Sequence, residues 1–182
     1  MREHALKLAA SRMYLMAEDV HAIQSLVPTS GPCRVVDLGA GSGTTALAVL
    51  DVRDAAKIVT VDIDQQNLDW AEKNIRAYYP DAVWSGLLSD AAAASENGER
   101  HGVDLVLHDA SHEREHVSAD IAAWAKVVAP GTPLWVHDYA SPPESWGQIA
   151  SPGVALAIAD LISEGGVEEV GTAGLGWIGR FR

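Results

Sequence analysis

The stretch Val35-Val36-Asp37-Leu38-Gly39-Ala40-Gly41-Ser42-Gly43-Thr44-Thr45 decides how this chain is read. A short β-branched run ends on an acid, glycines follow at alternate positions, and a helical pattern opens at Thr44. A strand passing through glycines into a helix brings bare backbone close to a ligand at the carboxyl edge of a sheet. The spacing also excludes two ligand classes. The dinucleotide fingerprint G-x-G-x-x-G requires glycine where Thr44 stands, and no Gly-Lys-Ser/Thr of a phosphate-binding P-loop follows. The next strand-like run, Val59-Thr60-Val61-Asp62, places a carboxylate about 20 residues beyond the glycines, where it can accept hydrogen bonds from both hydroxyls of a ribose.

Outward from this core, β-branched runs alternate with stretches of helical period. The pattern predicts strands over Arg34 to Leu38, Lys57 to Asp62, Ala82 to Leu87, Val103 to His108 and Leu134 to His137. Helices are expected over Thr44 to Val52, Gln65 to Tyr79, Asp90 to Asn97, Glu113 to Ala129 and Val154 to Glu164. Val117, Ile121, Trp124 and Val128 form one buried stripe, and Leu68, Ala71, Ile75 and Tyr78 another. Such alternation implies a parallel sheet covered on both faces. Val167 to Val170 and Gly176 to Phe181 have only a glycine-rich turn between them, so the chain should close with an antiparallel hairpin. At the other end, Glu3 to Val27 reads as one helix, with Pro28 to Pro32 as a hinge. The expected organisation is one domain over 1–182, with residues 1–32 as helix and hinge and 33–182 as the core.

The 182 residues carry a formal net charge of −12, with no cluster of Lys and Arg. Nucleic-acid binders usually need such a cluster to neutralise phosphates, so nucleic acid is not the expected partner. No apolar run approaches the ~20 residues needed to span a bilayer, so no membrane partner is expected either. The start, Met1-Arg2-Glu3-His4, lacks a signal-type apolar run. The single cysteine, Cys33, cannot form an internal disulfide, which points to the cytoplasm.

Histidines and aspartates gather at the ends of two later strands. The fourth strand runs out through Leu107-His108-Asp109-Ala110-Ser111-His112, with His116 close behind, and the fifth through Trp135-Val136-His137-Asp138-Tyr139. In a parallel α/β sheet this is where ligands bind. Asp109 with Asp138 or His137 could hold a divalent cation and lower the pKa of a substrate hydroxyl. Alternatively, His112 or His137 could act as general base, because imidazole titrates near neutral pH. Ser111 and His112 also suit the start of the following helix.

Together these motifs resemble class I S-adenosylmethionine-dependent methyltransferases. Val35 to Gly43 looks like their first motif, Val59 to Asp64 like the second, and Leu88-Ser89-Asp90-Ala91 like the adenine-contacting segment. The likeness implies a Rossmann-like, doubly wound, mostly parallel seven-stranded sheet with a C-terminal antiparallel hairpin. It implies cofactor contacts from Asp37, Gly39, Ala40, Gly41, Ser42, Asp62, Ile63, Ser89, Asp90 and His108. Asp37 and the glycines would lie beside the methionine part, Asp62 at the ribose, and Ser89 and Asp90 about the adenine. The His-Asp-Ala-Ser-His to Pro-Leu-Trp-Val-His-Asp-Tyr region resembles the methyltransferase-24 group in particular, and is similar in layout to catechol-type O-methyltransferases. That likeness implies Asp109, His137 and Asp138 as ligands of a cation, Mg or Zn, while the residues themselves offer Asp109, His112 and His137 as the catalytic candidates. A small-molecule acceptor and a possible homo-oligomer are the expected partners.

The chain departs from the group pattern twice. Asp109-Ala110-Ser111-His112 stands where many members have Asp-Gly-Asp-His, and His137 replaces a frequent carboxylate, which suits zinc or iron better than magnesium. Acceptor contacts are expected from the N-terminal helix, from the loop Ala140 to Pro152, where Trp146 could stack on a ring, or from another subunit. Two other readings remain open. One is a cofactor-binding module that assists a catalytic partner, and the other is a metal-dependent hydrolase or lyase using the same edge.

Overall fold

The computed structural model describes residues 2–12, 15–97, 102–140 and 152–182. Along the described chain run α1 (His4–Arg12), α2 (Ala17–Leu26), β1 (Arg34–Leu38), α3 (Thr44–Val52), β2 (Lys57–Asp62), α4 (Gln65–Tyr78) and β3 (Val83–Leu88). They are followed by α5 (Ala91–Asn97), β4 (Leu105–His108), α6 (Arg114–Ala125), β5 (Pro133–Val136), α7 (Pro152–Ser163), β6 (Val167–Ala173) and β7 (Gly176–Phe181). One seven-stranded sheet has the order β3-β2-β1-β4-β5-β7-β6. β1 to β5 pair in parallel, and β7 inserts antiparallel between β5 and β6. The expected mixed sheet with its C-terminal hairpin is therefore present.

The period of two along the strands divides the core into two layers. Val35, Ile58, Leu105, Leu107 and Trp135 pack under α1 to α4, whereas Val36, Leu38, Val61, Val106, Leu134 and Val136 pack under α5 to α7. Burial on both faces explains why the strands read as apolar runs rather than alternating ones. The chain leaves β1 towards β2 and β3, then returns to lay β4 on the other side of β1. Such a reversal opens a crevice at the carboxyl ends of β1 and β4.

The structure corrects the sequence reading at several places. The single N-terminal helix is two, because Leu15 and Met16 leave the helical path. Asp19 accepts the Met16 N–H at 2.8 Å and so starts a second helix with one arm of a capping box. Tyr78 is not in the buried stripe of α4. It is 43% exposed, and Tyr79 goes inward instead, donating its hydroxyl to Asp51 at 2.7 Å. α6 stops at Ala125 rather than Ala129, as the Lys126 N–H bonds Ala123 and the turn tightens. Val128 stays buried beyond that end, as the stripe required. β4 and β5 are shorter or shifted by a residue or two, and β6 runs on to Ala173 through an irregularity between Glu169 and Gly171. The expectation for Trp146 falls on residues 141–151, outside those described. Among the described residues no helix is long and apolar enough to cross a membrane.

Candidate functional site

A cleft of about 610 Å³ lies over the carboxyl ends of β1, β2 and β4. Gly39, Gly41, Asp62, Ile63, Ser89, Asp90 and Asp109 all line it. The size suits one small organic ligand.

Asp62, the last residue of β2, organises one wall. Its Oδ2 accepts the Ala40 N–H and its Oδ1 the Asp64 N–H, each at 2.8 Å, while Asn67 Nδ2 approaches both oxygens at 3.3 Å. One carboxylate thereby holds the glycine turn, its own turn and the first turn of α4. A carboxylate has about four lone-pair sites, and the two long Asn67 contacts are the ones a ligand hydroxyl could replace. Asp64 caps α4 by accepting the Gln66 N–H.

The glycines are conformationally necessary. Gly39 has φ of 100°, and a Cβ there would fall inside the envelope of the Asp109 carbonyl and 2.8 Å from the Ala110 nitrogen. The bare backbone lets the glycine turn lie against the end of β4, which joins the cofactor side of the cleft to the histidine edge. We expect Gly39→Ala to cost at least about 3 kcal/mol through backbone clash and strain. A thermal melt should show the loss, and a melt within a degree of the parent contradicts it.

Asp37 is fully buried below this turn. Burial pushes its carboxyl up to about 7, although the Thr60 hydroxyl donates to Oδ2 at 3.0 Å. Its Oδ1 has no hydrogen-bond partner among the described residues. On the far side, Ser89 is half-buried and Asp90 is exposed, with Asp90 Oδ1 accepting the Ala93 N–H at the start of α5. Ile63 is 77% exposed on the cleft wall, an apolar surface without a protein partner to cover it. Ala40 is buried behind the turn, and Ser42 shares a hydrogen bond with Thr44 at 2.9 Å. His108 is placed differently from the other candidates. It is buried, does not line the cleft, and pairs through Nε2 with Asp120 Oδ2 at 3.0 Å.

The edge beyond β4 and β5 is a compact ionic cluster. His137 Nδ1 lies 3.0 Å from Asp109 Oδ1 and 3.4 Å from Asp138 Oδ1. His112 Nε2 lies 3.1 Å from Asp138 Oδ2 and 3.7 Å from Asp109 Oδ1. Asp138 reaches its place with φ of 54°, a strained left-handed conformation for a residue other than glycine, of the kind found at functional sites. Burial alone would raise the Asp109 carboxyl and lower the His137 imidazole. Their mutual attraction outweighs it, so Asp109 falls below the usual carboxylate range and His137 is pushed up to about 9. The hydrogen bond to Asp109 also raises His112 above its ordinary value.

Donor atoms of Asp109, His112 and His137 all lie within 4.8 Å of one another. This trio differs from the ligand set implied by the sequence in having His112 where Asp138 was expected. Two nitrogens and one carboxylate oxygen suit zinc or iron better than magnesium. His116 faces the cleft and shares a 3.2 Å contact with Ser111.

Sequence reasoning missed Asp19. It is wholly buried on α2, accepts the N–H groups of Leu175 and Gly176 at 2.8 and 3.0 Å, and lies 3.9 Å from His137 Nε2. It also missed Asn67 and Asn74, the latter donating to the Ser42 carbonyl at 2.9 Å. Asp19 gave one local signal, its place three residues after Met16 at a helix start.

A family model described as a methyltransferase domain, of the type-24 group, matches residues 36–139. The chain belongs to this methyltransferase family. The match runs from β1 through the end of β5, so it takes in the glycine turn, Asp62 and the histidine edge together. The methyltransferase is 29% identical over 120 residues to the ribosomal RNA large subunit methyltransferase G of Streptomyces avermitilis, covering 63% of this chain and 30% of the relative. It is 40% identical over 58 residues to the ribosomal protein L11 methyltransferase of Thermotoga maritima, covering 31% of this chain and 22% of the relative. The chain thus matches less than a third of the length of these curated relatives.

Among solved structures, an O-methyltransferase from Bacillus cereus in complex with SAH superposes with a TM-score of 0.67 at 17% identity, covering 99% of this chain and 90% of that one. A methyltransferase from Geobacter sulfurreducens gives 0.71 at 14% identity, with coverage of 98% and 86%. The fold is that of the class I S-adenosylmethionine-dependent methyltransferases. The cleft offers a ligand the bare backbone of Gly39 and Gly41 and the carboxylate of Asp62.

Proposed function

We propose that this methyltransferase moves the methyl group of S-adenosylmethionine to a hydroxyl oxygen of a small molecule at the Asp109–His112–His137 edge. The observation that supports this reading is the closeness of that cluster to the cofactor wall, with Asp109 lining the cleft and its backbone lying against Gly39. In that cleft the cofactor supplies an electrophilic methyl on a sulfonium. Gly39, Ala40, Gly41, Ser42 and Asp62 would hold it from the glycine side, and Ile63, Ser89 and Asp90 from the other, with Asp37 buried below the glycine turn.

At the reacting end, Asp109 stays ionised and anchors both imidazoles. His137 is almost wholly enclosed and keeps its proton, whereas the His112 side chain is 42% exposed and can meet an acceptor. His112 accepts the hydroxyl proton as the oxygen attacks in line, and much of the rate comes from holding the two reactants in register. In place of that base, the donor set fits a divalent cation held by Asp109 and the deprotonated His112 and His137, which would acidify a hydroxyl that it bound.

The acceptor is assigned to small molecules on charge. A net charge of −12 opposes RNA, although one relative is named for ribosomal RNA. A single buried cysteine supports a cytoplasmic location.

The test is calorimetry with S-adenosylmethionine and S-adenosylhomocysteine, followed by methyl transfer to catechols, phenols and sugars with and without a chelator. Methylated hydroxyls are the expected product, and absence of cofactor binding overturns the assignment. A pH profile probes the base. Asp109 raises His112 above its ordinary value, and a protonated His112 must lose its proton before it can act as base. Activity should therefore increase with pH through a midpoint above the ordinary imidazole value of about 6.5. A His112→Gln variant should lose that limb and fall about 10²-fold or more.

A further inference from the structure

Asp120 is a carboxylate of α6 that is 5% exposed yet lines the cleft. One oxygen, Oδ2, is engaged by His108 Nε2 at 3.0 Å, and because a carboxylate only accepts, the imidazole N–H donates. That bond fixes the rotation of the carboxylate and leaves Oδ1 as an acceptor within the wall. The location along the cleft follows from two further contacts. Asp62 marks the ribose position, and Ser89 to Ala92 line the wall past it. α6 is tied to that wall by the Trp124 indole, which donates to the Ala91 carbonyl at 3.0 Å, and Asp120 lies one turn before Trp124 on the same helix. The small side chains of Ala91 and Ala92 leave room there for a flat ring, and Asp120 lines the same cleft.

Resting on the reading of the cleft as the S-adenosylmethionine site, we infer that Asp120 is a specificity residue that recognises the exocyclic amino group of the purine. The acid that the motif points to, Asp90, is exposed and already caps α5. A buried acceptor discriminates more sharply, because a mismatched ligand leaves it unpaired away from water. Ionised, Asp120 cannot donate, so a 6-oxo purine would set its carbonyl oxygen against a carboxylate. The fixed partner His108 makes a specific reversal available. In Asp120→Asn the amide oxygen accepts from His108 and the amide N–H₂ turns to the cleft as a donor, which suits the oxo group and not the amino group.

The experiment compares S-adenosylhomocysteine with its hypoxanthine analogue, S-inosylhomocysteine, by calorimetry on the full chain. The parent should prefer the amino purine by at least about tenfold, and Asp120→Asn should lose or invert that preference. A thermal melt checks that the variant is folded. The parent alone carries a second readout that survives a misfolded variant. With S-adenosylhomocysteine labelled with ¹⁵N at the amino group, binding should split the two amino protons and move one downfield. Equal affinity of the parent for both ligands, an unchanged preference in folded Asp120→Asn, or averaged amino protons in the complex each overturn the inference and leave the cofactor site standing. Failure of the parent to bind S-adenosylhomocysteine at all overturns the site itself.

Discussion

Replacing Asp62 with alanine is expected to abolish cofactor binding at ordinary concentrations while leaving a folded chain. The carboxylate accepts from Ala40 and Asp64 and meets Asn67, so its removal frees the glycine turn as well as the ribose position. Two lost charge-assisted hydrogen bonds to a diol, at about 1.5–3 kcal/mol each, correspond to a loss in affinity of about 10²- to 10⁴-fold. Calorimetry with S-adenosylhomocysteine gives the dissociation constant, and circular dichroism reports the fold. Asp62→Asn keeps one acceptor and should fall between the two. An alanine variant that binds within a few-fold of the parent would remove Asp62 from the cofactor site.

Asp109→Asn is expected to separate chemistry from binding. The asparagine can still accept a hydrogen bond from His137, so the edge should keep its shape while losing its anchoring charge. The turnover number should fall about 10²- to 10⁴-fold with cofactor affinity changed only a few-fold. An independent signature comes from His137. It is pushed up to about 9 chiefly against burial by the charge of Asp109, so its titration in the variant should move down towards the ordinary imidazole range. A His137 titration that does not move, followed by proton NMR, contradicts the pairing. If cofactor binding is lost together with activity, Asp109 belongs to the cofactor wall and not to the acceptor edge.

The cofactor half of the site was legible because its residues are local. Asp37 to Gly43 and the Asp62–Asp64 turn are contiguous runs, each at the end of a strand, and backbone conformation there follows from residue type. The acceptor edge was partly legible. Asp109 and His112 share one strand end, and His137 and Asp138 another, so a parallel sheet sufficed to bring them together. Which atoms face which was not available from order alone. His112 joins Asp109 and His137, and Asp138 reaches both histidines from a left-handed backbone.

Most of the features that were missed depend on distant partners. Asp19 meets Leu175 and Gly176 across 156 and 157 residues of chain, and no local pattern carries that information. Tyr78 and Tyr79 are adjacent and chemically equal, and helical periodicity favoured the first. Asp51 on α3 selects the second, because it supplies the acceptor that a buried hydroxyl needs. The family likeness implied a cofactor contact from His108, the last residue of β4. Its side chain instead reaches Asp120 twelve residues on, and the carboxylate takes the position on the cleft.

By itself, then, the sequence determined the layered α/β architecture, the closing hairpin, the glycine turn and the rejection of a dinucleotide. Each follows from periodicity, or from glycine spacing that acts within a few residues. Tertiary structure alone decided which polar groups are buried against one another. Their geometry sets whether a carboxylate is held ionised, as at Asp109, pushed towards neutrality, as at Asp37, or left with one oxygen open to a ligand, as at Asp120. Burial and the distance to a partner control ionisation and hydrogen bonding, and both are properties of the packed chain rather than of its order.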